Sequence, residues 1–162
     1  MSNCYVTGET GRLGGVIVKT LKARGDEIVD WGQDFNYMVF AHRYRGDPSF
    51  EAEMYANVGK VREAINQASW ADGDRSIVVV SSIDAIDPNP HQSMAYNVSK
   101  AALNQLVRYY AKTQGVRINS VSPATFTSET PNITMPEVCN VIAFLCSPLS
   151  SGINGQDIRV TG

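Results

Sequence analysis

Short apolar runs alternate along this chain with stretches whose apolar residues recur every three or four positions, and that alternation permits few folds. Cys4 to Thr7 reads as a first strand. Leu13, Ile17 and Leu21 then form the stripe of a helix that Gly25 ends as its C-cap. Glu27 to Trp31 and Tyr37 to Ala41 read as the second and third strands. Asp47-Pro48 starts the next helix with a capping side chain and a first-turn proline, and Phe50, Met54, Val58, Val61 and Ile65 form its stripe. Ile77 to Val80 is a continuous β-branched run, the pattern of a strand covered on both faces. Ala95 to Gln114 is a long helix closed by Gly115, and Ile118 to Val121 is another strand. Thr134-x-x-Glu137 is a capping box ahead of a helix striped by Val138, Val141, Ile142 and Leu145, and Gln156 to Val160 is the final strand. The order predicts an α/β fold, a parallel sheet with helices on both faces that binds ligands beyond the carboxyl ends of its strands.

The 162 residues have the length of one domain, so residues 1–162 are read as a single unit. A net charge of −2 argues against nucleic acid or an anionic membrane as partner. No apolar run approaches the ~20 residues that cross a bilayer, and the chain enters a strand pattern at once, without a leader pattern. Cys4, Cys139 and Cys146 form no C-x-x-C pair and no metal-ligand spacing, so no metal is expected and a cytoplasmic location is.

Thr7-Gly8-Glu9-Thr10-Gly11-Arg12-Leu13-Gly14 joins the first strand to the first helix. Glycines at such a turn allow a sharp bend, a close approach to a pyrophosphate and tight helix–strand packing. The amides of the helix start then face the anion. The spacing is G-x-x-G-x-x-G, and by itself it also fits a glycine-rich turn with no ligand.

Tyr96-Asn97-Val98-Ser99-Lys100 puts a phenol and an ammonium one helical turn apart. A cation so placed is expected to lower the pKa of the tyrosine and fit it to exchange a proton with a carbonyl or alcohol oxygen. Ser82, at the end of the buried strand Ile77–Ser81, is placed to hold the same oxygen. A surface Tyr–Lys pair is the plainer reading of the spacing alone.

Three segments in order, Ser76-Ile77-Val78-Val79-Val80-Ser81-Ser82, then Tyr96-x-x-x-Lys100-Ala101-Ala102-Leu103, then Arg117-Ile118-Asn119-Ser120-Val121-Ser122-Pro123, resemble the short-chain dehydrogenase/reductase family, as does the ending Gly155-Gln156-Asp157-Ile158. The resemblance implies a three-layer Rossmann-type fold and an NAD(P)-dependent oxidoreductase that interconverts an alcohol and a carbonyl on a small molecule. It makes Tyr96 the general acid/base, Lys100 the residue that tunes it and holds the nicotinamide ribose, and Ser82 the residue that orients the substrate oxygen. It assigns Asn57 to a proton relay; Asn57 reads equally as a polar residue of the helix surface. It places the cofactor, NAD or NADP, against Thr7, Gly8, Thr10, Gly11, Arg12, Leu13, Gly14, Asp30, Ala41 and Lys100, with Pro123, Thr125 and Thr127 covering the nicotinamide. It also implies a homodimer or homotetramer, paired through helices 48–68 and 95–114; the aromatic pair Tyr109-Tyr110 reads either as an exposed part of that contact or as a pair of which one ring packs on its own sheet.

The chain departs from the family pattern at two places. Trp31-Gly32 is followed almost at once by Asn36-Tyr37-Met38-Val39, so edge strand 3 and its flanking helices are expected to be missing. At the end of the strand Tyr37–Ala41, the family's Asn-Asn-Ala-Gly is replaced by Phe40-Ala41-His42-Arg43. Asp30 would favour NAD, whereas Arg12, Arg43 or Arg45 would favour NADP. A trimmed adenosine site also admits a second reading, a non-catalytic dinucleotide-binding or assembly module.

Overall fold

The computed structural model describes residues 1–46, 49–126 and 133–162. Strands β1 (Asn3–Thr7), β2 (Glu27–Ile28), β3 (Tyr37–Phe40), β4 (Ser76–Val80), β5 (Arg117–Pro123) and β6 (Asp157–Val160) form one sheet in the order β2-β1-β3-β4-β5-β6. Every neighbouring pair is parallel. The helices are α1 (Arg12–Arg24), α2 (Phe50–Met54), α3 (Lys60–Gln67), α4 (Met94–Thr113) and α5 (Met135–Leu145).

Alternate strand residues feed two separate cores, as the two-residue period of a strand requires. Cys4, Val6, Val39, Val78 and Val121 pack against Ile17 and Leu21 of α1 and Val138, Ile142 and Leu145 of α5. Met38, Phe40, Ile77, Val79 and Ile118 pack on the other face against Val61 and Ile65 of α3 and Leu103 and Val107 of α4. The result is the three-layer Rossmann-type sheet expected from the sequence, with β2 at the edge where a further strand was expected to be missing.

Several local expectations need correction. The second strand is two residues long and does not reach Trp31. Val29 still donates to the Cys4 carbonyl at 3.0 Å, but then Gly32, at φ 96°, turns the chain away. An edge strand is held on one side only, so the turn outcompetes further pairing. Beside it Tyr5, Trp31, Phe35 and Trp70 form an aromatic cluster with ring centroids 5.1–6.2 Å apart.

The helix expected over 48–68 is interrupted. Its proposed start, Asp47-Pro48, lies outside the described residues, and Ser49 caps α2 by accepting from the Ala52 amide at 3.3 Å. Between α2 and α3 runs a π-helical turn, Tyr55–Gly59. The wider turn shifts the phase of the buried face. Phe50, expected to face the core, is therefore exposed, while Glu53, Ala56 and Asn57 are buried. Tyr109 and Tyr110 are not an exposed pair: Tyr110 is buried and donates to Asn66 Oδ1 at 3.1 Å. Among the described residues no helix is long and apolar enough to cross a membrane, and no cluster of His, Cys, Asp and Glu forms a metal site.

Candidate functional site

The glycine turn is built by contacts of its own backbone. Gly8 adopts φ 71°, and its carbonyl accepts from the Gly11 amide at 2.9 Å. A methyl group on Gly14 would collide with that same carbonyl oxygen, so only glycine lets α1 start this close to the turn. Gly11 is the N-cap, with no side-chain cap and no acidic residue in the first turn of α1. The first amides of the helix are therefore left for an outside acceptor.

The turn forms one wall of a crevice of about 630 Å³ at the carboxyl ends of the strands. Gly8, Thr10, Gly11, Arg12, Leu13 and Gly14 line that wall. Ala41, Ser82 just beyond β4, and Tyr96 and Lys100 of α4 line the same crevice. Pro123 and Thr125 close the end beyond β5. Thr127 lies outside the described residues. Thr7 is set back from the crevice, and Asp30 is exposed and away from it.

Local capping aims the facing residues. Ser93 caps α4 by accepting from the Tyr96 amide at 3.1 Å, which sets Tyr96 and Lys100 in the opening turns of the helix. Ser82 follows β4 and accepts from the Asp84 amide at 3.2 Å, capping a short 3₁₀ turn over Ile83–Ala85. The Lys100 ammonium lies 5.8 Å from the centre of the Tyr96 ring and donates to the Val80 carbonyl at 3.1 Å. Burial pulls its pKa down to about 8, with the Glu53 charge opposing that shift and Arg43 adding to it.

The expectation that Lys100 depresses the pKa of Tyr96 is not met. Burial raises the Tyr96 pKa, with the Asp84 and Glu53 charges adding to it. The nearby Ser82 hydroxyl and the charge of Arg43 pull the other way. The Arg43 guanidinium carbon lies 5.6 Å from the ring centre.

Asn57 does not reach the crevice wall. It is buried in the π-helical turn and donates from Nδ2 to Glu53 Oε2 at 2.8 Å and to Ser99 Oγ at 3.0 Å. The turn thus ties α2 to α4 directly behind Lys100. Glu53 escaped the sequence reading, although its i, i+4 spacing to Asn57 was a signal for the pair.

The His42 ring joins two segments. Its Nε2 lies 2.8 Å from the Ala56 carbonyl and its Nδ1 lies 3.2 Å from Thr7 Oγ1. Burial lowers its pKa, which favours the neutral ring. The carbonyl fixes Nε2 as donor, and Thr7 then donates to Nδ1 while accepting from the Ala41 amide at 3.2 Å. His91 is exposed and does not line the crevice.

Residues 47–131 match a family model described as Enoyl-(Acyl carrier protein) reductase. The chain is 32% identical over 138 residues to the 3-oxoacyl-(acyl-carrier-protein) reductase FabG of Rickettsia felis, an alignment covering 72% of this chain and 56% of that protein. It is 34% identical over 118 residues to a tropinone reductase homolog of Arabidopsis thaliana, covering 57% of this chain and 42% of that one. The chain thus spans about half the length of the curated relatives it matches. A short-chain dehydrogenase/reductase from Brucella melitensis superposes with a TM-score of 0.82 at 20% identity, covering 98% of this chain and 94% of that one. The 3-alpha-hydroxysteroid dehydrogenase of Pseudomonas sp. B-0831, solved with NADH, superposes with a TM-score of 0.77 at 22% identity and the same coverage. On the family match and the shared fold, the chain belongs to the short-chain dehydrogenase/reductase family of oxidoreductases.

Proposed function

We propose that this protein is an NAD(P)-dependent oxidoreductase that interconverts an alcohol and a carbonyl on a small molecule, with Tyr96 as the proton donor and acceptor. The observation that carries the reading is that Ser82, Tyr96 and Lys100 line the same crevice as the glycine turn.

The residues present fit a dinucleotide. The Gly8–Gly14 backbone leaves no room for a methyl at its tightest point, and the α1 amides have no competing cap. Those amides, with Arg12 beside them, would hold the pyrophosphate. Lys100 would hold the nicotinamide ribose, and Pro123 and Thr125 would bound the ring. When bound, the nicotinamide supplies or accepts the hydride. Tyr96 gives its proton to the carbonyl oxygen during reduction and takes it back during oxidation. Ser82 orients that oxygen by hydrogen bonding. Asn57 serves from behind, by holding Glu53 and Ser99 next to Lys100. Self-association through α4 and the α2–α3 segment accompanies this reading and is checked by light scattering.

The test has two parts. NADH and NADPH are each titrated against the pure protein by fluorescence. Turnover is then measured on a panel of β-keto thioesters, ketosteroids and polyols. Tyr96→Phe is expected to leave dinucleotide affinity within about twofold and to cost at least about a hundredfold in turnover. Undiminished turnover in that variant, or no binding of either dinucleotide at millimolar concentration, overturns the proposal.

A further inference from the structure

Arg43 stands three residues beyond the end of β3 and lines the crevice. The resemblance gives a glycine at this place, so a long cationic side chain is a property of this chain. Its backbone is anchored one residue away, because the His42 ring bridges Thr7 and the π-helical turn. Its guanidinium carbon lies 5.6 Å from the centre of the Tyr96 ring, within the range of a cation–π contact. Among the described residues Arg43 makes no salt bridge to a carboxylate.

The charges around Tyr96 come from four elements. Lys100 belongs to α4, Glu53 to α2, Asp84 to the turn after β4, and Arg43 with Arg45 to the segment after β3. The two cations nearest the ring differ in kind. Lys100 is buried, donates to Val80 and loses its charge as pH rises through about 8. A guanidinium stays charged over the whole range in which a tyrosine titrates. The cation needed when the phenol gives up its proton is therefore present at Arg43 when it is fading at Lys100.

We propose that Arg43 is a positioning residue for proton transfer: its guanidinium, held against the Tyr96 ring at the crevice wall, fixes that ring and stabilises the negative charge of the phenolate. The inference rests on Tyr96 as the proton-transferring group, and its test needs neither cofactor nor substrate. The direction of the Arg43 influence on Tyr96 agrees with it.

The phenolate of Tyr96 is followed by ultraviolet difference absorbance at low salt, with Tyr96→Phe subtracted. Arg43→Gln is expected to move the midpoint to higher pH by about half a unit or more, the effect of one charge at this distance in a solvated site. Arg43→Lys is expected to restore most of the shift. A midpoint unchanged in Arg43→Gln, or a lysine no better than glutamine, overturns the proposal. Arg43 is exposed, so both variants are expected to fold, and melting curves matched to the parent verify it. In turnover, the deficit of Arg43→Gln is recovered as pH rises, whereas a deficit from lost structure stays constant with pH. If no substrate or dinucleotide is turned over or bound, the dehydrogenase reading falls while the titration still decides the role of Arg43.

Discussion

The ammonium nitrogen of Lys100 donates to the carbonyl oxygen of Val80 across 3.1 Å, tying the opening of α4 to the end of β4. The bond leaves a cation in a fully buried place, and burial lowers its pKa from 10.5 to about 8. Between these two values the unfolded chain binds a proton that the folded chain has lost. Stability from this group therefore rises with pH across that window, and below it the folded state carries the full cost of the buried charge. Urea melts of the parent and of Lys100→Met are expected to diverge in favour of the parent between about pH 8 and pH 10, by at most about 3 kcal/mol. Curves that stay parallel refute this.

Asn57 holds Glu53 at 2.8 Å inside the fold. Asn57→Ala leaves that buried carboxyl group without its amide donor, and an expected cost of about 1–3 kcal/mol follows. Adding Glu53→Gln removes the charge that most needs the donor. A double-mutant cycle on urea stability is expected to show coupling, and additive costs would show that the two side chains act separately.

Gly14→Ala forces the turn apart, since the new methyl meets the Gly8 carbonyl oxygen. Dinucleotide affinity is expected to fall at least about tenfold, equivalent to about 1.4 kcal/mol. Gly15→Ala is the control, because its methyl comes no closer than 3.4 Å to Glu9 O. Equal affinity in both variants would sever the turn from dinucleotide binding.

Cys4, Cys139 and Cys146 are all free and buried. Burial pushes the thiol of Cys4 up to about 12 and that of Cys139 up to about 11, and raises that of Cys146 as well. Thiolate is the reactive form, so alkylation of the folded protein at neutral pH is expected to be slow at all three. Mass spectrometry after iodoacetamide treatment should find full labelling only in urea. Rapid labelling of the native protein would mean that the α1–α5 core opens readily.

Much of the sheet was legible because a buried parallel strand needs a recognisable run. Ser76-Ile77-Val78-Val79-Val80 is apolar after its first residue, so its place at the centre needed no partner to be read. The Thr134–Glu137 capping box was equally local and is present, with Thr134 Oγ1 accepting from the Glu137 amide at 3.4 Å. The short β2 and the π-helical turn were not legible. Glu27 to Trp31 has strand character, but how far a strand pairs depends on what lies beside it. The periodicity of Phe50, Met54 and Val58 assumed a regular helix, and one wider turn rotated Glu53 and Asn57 inward instead.

By itself the sequence determined the order of strands and helices, the glycine turn and the spacing of Tyr96 to Lys100, because each depends on residues close in the chain. Tertiary structure alone decided that the Arg43 guanidinium lies over the Tyr96 ring, that His42 bridges Thr7 to Ala56, and that burial raises the tyrosine pKa. Those outcomes depend on distances between segments far apart in sequence and on the water that packing removes. Neither quantity is written in any local pattern.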